Sequence, residues 1–353
     1  MPIVDYVDDQ KGRAELFDFY RRVYPQVLNP DNVKYLTDDD HFNWMYKGTN
    51  ILLFRDDDGA IVAHCWMRYE PMMIEDREIK GAYITDIFVD PNTQQRGLGS
   101  KFVQYIKDAG DIIMGVGMTG PAEGLYRKNK ITIIDEGQLF GLFVNPRRCL
   151  VGTGKMGGFS ATLLHVPLKV FTWGKAIQRR ISCPKKLTNL KLADHFESAW
   201  DEAWNKYLEH IPIRAIKTKE ILDHKKRKGS SVIVALVDDR PLGYVTFRVA
   251  RTDKFAIGKI TDIVFDPTND QKVGEYLLRS AVETLLRGGE VDGIFCIASS
   301  PELKTACKRA GLYALRRQKT MTSISQEDID RMSSKSECVW YNTFVDADMD
   351  CYW

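Results

Sequence analysis

Residues 92–100 read Asn-Thr-Gln-Gln-Arg-Gly-Leu-Gly-Ser. They stand between an apolar run ending at Val89 and apolar residues spaced as on a helix at Leu98, Phe102, Ile106 and Ala109. A glycine-rich loop that leaves a strand and opens a helix can hold phosphate. The first N–H groups of a helix have no intrahelical acceptor, and the helix dipole favours an anion there. Gly97 and Gly99 remove side chains that would keep an anion at a distance, and Ser100 can add a hydroxyl donor. Metal chemistry has no such foothold. The six histidines form no HxxxH or His/Cys cluster and the seven cysteines include no CxxC, so no metal site is expected. No Cys–His signature suggests a covalent thiol intermediate either.

The elements that must position this loop occur twice. Residues 84–91 read ITDIFVDP and residues 260–267 read ITDIVFDP, 176 positions apart. Upstream of each copy lie two strand-like runs joined by a polar turn. In the first half these are Ile51–Phe54 and Ile61–Arg68 around Asp56–Gly59; in the second, Val232–Val237 and Leu242–Val249 around Asp238–Pro241. Downstream of each come a helical pattern, a short apolar run (Ile112–Val116 or Gly293–Ile297) and another helix. Both halves therefore read strand–strand–strand–helix–strand–helix, an α/β class with a mixed sheet in two tandem domains. The expected boundaries are 1–150, a connector at 151–186, and 187–353. Within the connector, Ala161–Arg180 carries Lys169, Lys175, Arg179 and Arg180 among apolar residues. Pro167 and Gly174 interrupt it, so a helix packed on a domain is expected rather than a membrane-surface segment. The aromatics of Val339–Trp353 are expected to dock on the body.

Composition removes several function classes. The 44% hydrophobic and 28% charged fractions are those of a globular chain. Lys+Arg 50 against Asp+Glu 48 leaves +2, which argues against binding nucleic acid by phosphate neutralisation. No run is long and apolar enough to span a bilayer, and the acidic start MPIVDYVDDQ is unlike a signal peptide. Scattered, odd-numbered cysteines suit a reducing compartment, so a cytoplasmic location is expected.

The string V-D-P-x-x-Q-x-R-G-x-G-S, on a strand and before an amphipathic helix, resembles the GNAT superfamily of acyl-CoA-dependent N-acyltransferases. Their pattern Q/R-x-x-G-x-G/A is filled by Gln94, Gly97 and Gly99. The resemblance implies that the loop Gln94, Gln95, Arg96, Gly97, Leu98, Gly99 and Ser100 holds the CoA pyrophosphate. It also implies that the strand end Phe88–Val89 pairs through its backbone with the pantetheine arm. A second family pattern, A-x-x-L-Y-x-K-x-G/N-F/I, is met by Ala122 to Ile131, with Lys130-Ile131 in place of the usual Gly-Phe. It implies that Tyr126 stands beside the CoA sulfur as general acid. In the second half the loop reads Thr268 to Tyr276 with Glu275 and Tyr276 near the place of the second glycine, and Cys307 falls where Tyr126 should be. A carboxylate facing a pyrophosphate is repelled. The second domain is thus expected to be degenerate for CoA and to form part of an acceptor cleft.

Acyl transfer to an amine also needs a base. Asp86 lies on the repeated strand, yet Asp262 keeps its place in the degenerate copy, so a structural role competes with a catalytic one. Glu123, His64 and His41 are weaker candidates. The tandem arrangement, the entry segment at 41–47 and the acidic–aromatic ending look like bacterial tandem-GNAT proteins of surface-polysaccharide biosynthesis. That implies acyl-CoA as co-substrate and a nucleotide-linked amino sugar as acceptor, with Trp44 and Tyr46 as stacking candidates. Another small amine, such as a thiol-sugar precursor or an antibiotic, and a non-catalytic acyl-CoA-binding role are the alternatives. Amino-acid transfer from tRNA fits the near-neutral charge poorly.

Overall fold

Alternating and continuous apolar runs become strands, and the acidic turns between them close as hairpins. Gly59 takes φ +84° while the Asp56 carboxylate accepts the Ala60 N–H at 2.8 Å; in the second hairpin Asp238 and Asp239 take φ +50° and +60°. The computed structural model describes residues 3–26, 37–46, 49–93, 97–108, 112–118, 120–152, 190–226, 229–251, 255–268 and 272–343. The connector expected at 151–186 lies outside them, apart from its first two positions. In chain order the elements are β1 (Ile3–Asp5), α1 (Gln10–Val23), a 3-10 turn at Tyr24–Gln26, α2 (Asp39–Tyr46), β2 (Thr49–Arg55), β3 (Ile61–Ile74), β4 (Arg77–Val89), α3 (Leu98–Asp108), β5 (Ile112–Val116), α4 (Gly120–Lys128), β6 (Thr132–Phe143) and α5 (Pro146–Gly152). The second half continues with β7 (Leu190–Ala193), α6 (Asp201–Tyr207), β8 (Ile213–Ala215), α7 (Lys219–Lys225), β9 (Ser231–Val237), β10 (Arg240–Arg251), β11 (Ala256–Phe265), α8 (Lys272–Arg287), β12 (Gly293–Ala298), α9 (Pro301–Arg309), β13 (Tyr313–Thr322) and α10 (Gln326–Ser333).

The chain divides into two compact units. The first comprises Met1–Asp135 with Lys319–Arg331, and the second Glu136–Gln318 with Met332–Cys351. Each unit is completed by chain from the other half of the sequence. In the first, Thr320, Met321 and Thr322 pair antiparallel with Val116, Gly115 and Met114 of β5. In the second, Gln138–Phe143 of β6 pair antiparallel with β12. Helix spacing does the rest of the packing: Leu98, Phe102, Val103 and Ile106 of α3 are buried on the first unit's sheet, and Leu277, Leu278, Ala281 and Leu285 of α8 on the second's. Each of these side chains other than Ala281 contributes about 1.5–3 kcal/mol.

The repeat is also a repeat of irregularities. On β4, Asp86 pairs with Trp66 and Ile84 with Met67, leaving Thr85 as a one-residue bulge; on β11, Asp262 pairs with Thr246 and Ile260 with Phe247, leaving Thr261. Both strands then leave their parallel neighbours. β4 pairs with β5 only at Gly81, Ala82 and Tyr83, and β11 with β12 only from Ile257 to Ile260. Beyond that point the two copies differ. Residues 85–89 are half-buried, whereas every residue of β11 is buried.

In the second unit the tail covers the end of β11. The Tyr341 hydroxyl donates to the Ile263 carbonyl, the Asn342 N–H to Ser299 Oγ at 2.8 Å, and the Thr343 hydroxyl to Asp262 Oδ1 at 2.9 Å. The Ile213 N–H donates to Val339 O at 2.8 Å and the Tyr341 N–H to Ile213 O at 3.0 Å. The expected docking of the tail is therefore seen through Thr343; residues 344–353 lie outside the described set. Asp262, its side chain 1% exposed, also accepts from Lys217 Nζ at 3.1 Å, the Tyr244 hydroxyl at 2.8 Å and the Ile263 N–H at 3.0 Å. Removing one partner of such a buried pair leaves a charge without compensation. Asp262→Ala should lower the unfolding free energy in urea by about 3–5 kcal/mol; a loss under about 1 kcal/mol would show that the cluster is not a structural lock.

Candidate active site

Of the expected phosphate loop, residues 92, 93 and 97–100 are among those described. Asp90, 2% exposed, anchors its entrance: Arg22 pairs with it at 2.5 Å, and its Oδ1 accepts the Asn92 N–H at 2.9 Å. Gln94, Gln95 and Arg96 lie outside the described residues. Gly97 takes φ +72°, a conformation disfavoured by a Cβ, with nothing within 4 Å of where one would stand. It accepts the Lys101 N–H at 3.1 Å, so the N–H groups of Leu98, Gly99 and Ser100 belong to the open first turn of α3. A Cβ on Gly99 would stand 3.1 Å from Leu125. Ser100 Oγ accepts from Asn129 Nδ2 at 3.0 Å, which ties the loop helix to the end of α4 and leaves the hydroxyl proton to donate.

In the second unit the corresponding turn is closed. Val273 is buried, and Glu275 turns back to Arg279 at 2.6 Å. Gly274, which reads as a surviving loop glycine, serves close packing instead. A Cβ there would meet the Phe265 ring at 2.6 Å, so its absence lets the helix approach the strand.

Phe88 and Val89 end β4 on the stretch that has left β5, as backbone pairing with an extended ligand requires. Tyr126 sits on α4 in a core with Cys65, Ile84, Leu98 and Phe102 and is 5% exposed. Burial raises its phenol well above the ordinary value, with Cys65 and Asp86 adding to the effect. It stays protonated at neutral pH and can give a hydrogen bond to a developing thiolate, but cannot serve as a base. The turn after it explains the family's glycine. Lys130 stands at φ +57°, and at the matching place of the second copy Gly311 stands at φ +85°. There the Leu312 N–H donates to Cys307 O as the Ile131 N–H does to Tyr126 O, each at 3.0 Å. The second copy thus has a buried thiol, raised by desolvation, in place of the phenol.

Of the base candidates, Glu123 is engaged by Lys319 at 2.8 Å and Arg127 at 2.7 Å, which lower its pKa and make it a poor proton acceptor. His41, Trp44 and Tyr46 lie on α2, but their side chains are outside the description. Asp86 is 21% exposed at its side chain and accepts the Tyr24 hydroxyl. Tyr24 is a participant that sequence reasoning missed, for nothing in Arg-Val-Tyr-Pro-Gln marks it. Its oxygen is also 3.0 Å from Nε2 of His64, which is fully buried. The 3.8 Å between His64 and Asp86 is no ion pair at neutral pH, because burial pushes the imidazole down to about 3. Among the described residues no group of His, Cys, Asp and Glu is arranged to hold a metal ion, and no helix is long and apolar enough to cross a membrane.

The His64 shift has a sign. Its native value lies below the ordinary 6.5, so the unfolded chain binds the proton first, and stability falls as pH drops through the interval between 6.5 and about 3. From pH 6.5 to 4.5 this contributes a loss of about 2–3 kcal/mol that His64→Asn should lack. Urea unfolding of both proteins at the two pH values checks it; equal losses would mean that the imidazole is not buried as a neutral ring.

Residues 13–114 match the Acetyltransferase (GNAT) family model. No curated protein matches the sequence. Solved structures share the fold over nearly the whole chain. N-myristoyltransferase of Saccharomyces cerevisiae with bound myristoyl-CoA is 11% identical over 91% of this chain and 82% of its own, at TM-score 0.57. A tandem GNAT protein from the clavulanic acid biosynthesis pathway is 11% identical over 91% and 98%, at TM-score 0.54. A glucosamine N-acetyltransferase region of a fungal multi-domain β-N-acetylglucosaminidase is 14% identical over 91% of this chain and 38% of that one, at TM-score 0.53. The family match falls on the stretch that carries the open strand edge and the start of the glycine-led helix, and the solved structures share the fold of the chain.

Proposed function

We propose that the chain moves an acyl group from CoA directly to the amine of a nucleotide-linked amino sugar, in a ternary complex formed at the first unit. The observation that carries the site is the open end of β4, with Asp86 beside it and the glycine loop after it. CoA phosphates lie at Gly97–Ser100, and pantetheine extends along the backbone of residues 84–89. Asp86 takes the proton of the acceptor ammonium, and the freed nitrogen attacks the thioester carbonyl. The tetrahedral intermediate then collapses to the amide, and the CoA thiolate departs toward the Tyr126 hydroxyl. The products are the amide, CoA and one proton. Support for an amino sugar comes from the resemblance of the motifs and from the similar structure named as a glucosamine N-acetyltransferase region.

Thiol release from several acyl-CoAs, measured against nucleotide-linked amino sugars, free glucosamine, aminoglycosides and peptide amines, tests the reading. Turnover is expected with the nucleotide-linked amino sugars. Asp86→Asn should lower kcat/KM by about 10²–10⁴, and Tyr126→Phe should lower kcat and kcat/KM together, both with CoA affinity retained. Turnover confined to non-sugar amines would remove the acceptor; full activity in Asp86→Asn would remove the base.

A further inference from the structure

The two copies of the repeated aspartate are held by opposite means. Asp262 is met by a lysine ammonium at 3.1 Å, two hydroxyls and a backbone N–H. Asp86 is met by the Tyr24 phenol, whose oxygen in turn lies against His64 Nε2. His64 and Tyr244 occupy matching positions, paired with Phe88 and Val264, two residues past each aspartate. Yet Tyr244 bonds its aspartate itself, while His64 reaches Asp86 only through Tyr24.

The surroundings of His64 fix the direction of that chain. The ring is enclosed by Phe19, Tyr20, Tyr24 and Phe88, with centroids 5.7, 5.3, 6.0 and 6.3 Å away. Its Nδ1 has no hydrogen-bond partner among the described residues. A neutral imidazole carries one N–H. On Nδ1 that proton would be stranded among aromatic rings, whereas on Nε2 it donates to Tyr24. The Tyr24 oxygen then accepts from His64, and its own proton turns to Asp86 Oδ2.

We propose that Tyr24 is the positioning residue for Asp86, and that His64, as the Nε2–H tautomer, holds Tyr24 as a donor to that carboxylate. The groups facing Asp86 include Tyr24 from the turn after α1, Tyr20 from α1, His64 and Cys65 from β3, and Tyr126 from α4. Burial pushes Tyr20, Cys65 and Tyr126 up and His64 down, so these four are uncharged near neutral pH. The relay rests on the reading of Asp86 as base for its purpose, but not for its detection.

Carboxyl-carbon NMR of the full chain labelled at aspartate, with the Asp86 signal assigned by its absence in Asp86→Asn, reads the relay without turnover. Losing the phenol donor in Tyr24→Phe should raise the Asp86 titration midpoint by about one pH unit, a tenfold change in proton affinity, and move the acid limb of kcat/KM by the same amount. Nitrogen-15 spectra should show the His64 proton on Nε2; this needs only the wild-type chain, should Tyr24→Phe fail to fold. An unchanged Asp86 titration in the folded variant, or a proton on Nδ1, would overturn the relay. Full turnover by Asp86→Asn would instead remove the base reading and leave the relay standing.

Discussion

β4 and β5 part after Tyr83, and much of the molecule depends on how the backbone groups exposed there are satisfied. Peptide N–H and C=O groups need partners, and a strand that leaves its neighbour must find them in solvent, in ligand or in other chain. In the first unit β5 turns instead to Thr320–Thr322, where Gly115 makes room for the Met321 side chain, and residues 85–89 stay half-buried. That edge can serve an extended ligand by strand addition. In the second unit the same parting occurs after Ile260, and the chain's own residues 339–343 close around it.

Duplication therefore left one scaffold with two fates. The bulges at Thr85 and Thr261 and the aspartates that come after them are common to both. Function separates at the surrounding residues. A lysine and two hydroxyls turn Asp262 into part of a core, whereas a phenol and a neutral histidine leave Asp86 reachable. Loop chemistry diverged in step: Gly97 keeps an open left-handed turn, while Val273 and Glu275 are packed away.

The repeat, the strand order and the glycine loop were legible because each is a local pattern: six matching positions in eight, period-two runs and glycines before a helix. Three things were not. The exchange of chain segments between the units leaves no local trace, since Thr320–Thr322 reads like any strand and its partner lies some two hundred residues away. The distinction between Asp86 and Asp262 is set by residues 24, 64, 217, 244 and 343, whose proximity only the fold creates. The packing role of Gly274 is the third, because a missing side chain serves close helix–strand approach as well as it serves a phosphate.

Amide hydrogen exchange with and without CoA tests the central proposal, that CoA seats on the open strand edge of the first unit and not on the matching stretch of the second. Exchange should slow at residues 84–89 and 97–101 when CoA binds, and stay unchanged at residues 261–265, which the tail already covers. Equal slowing in both stretches, or none at 84–89, would contradict the account.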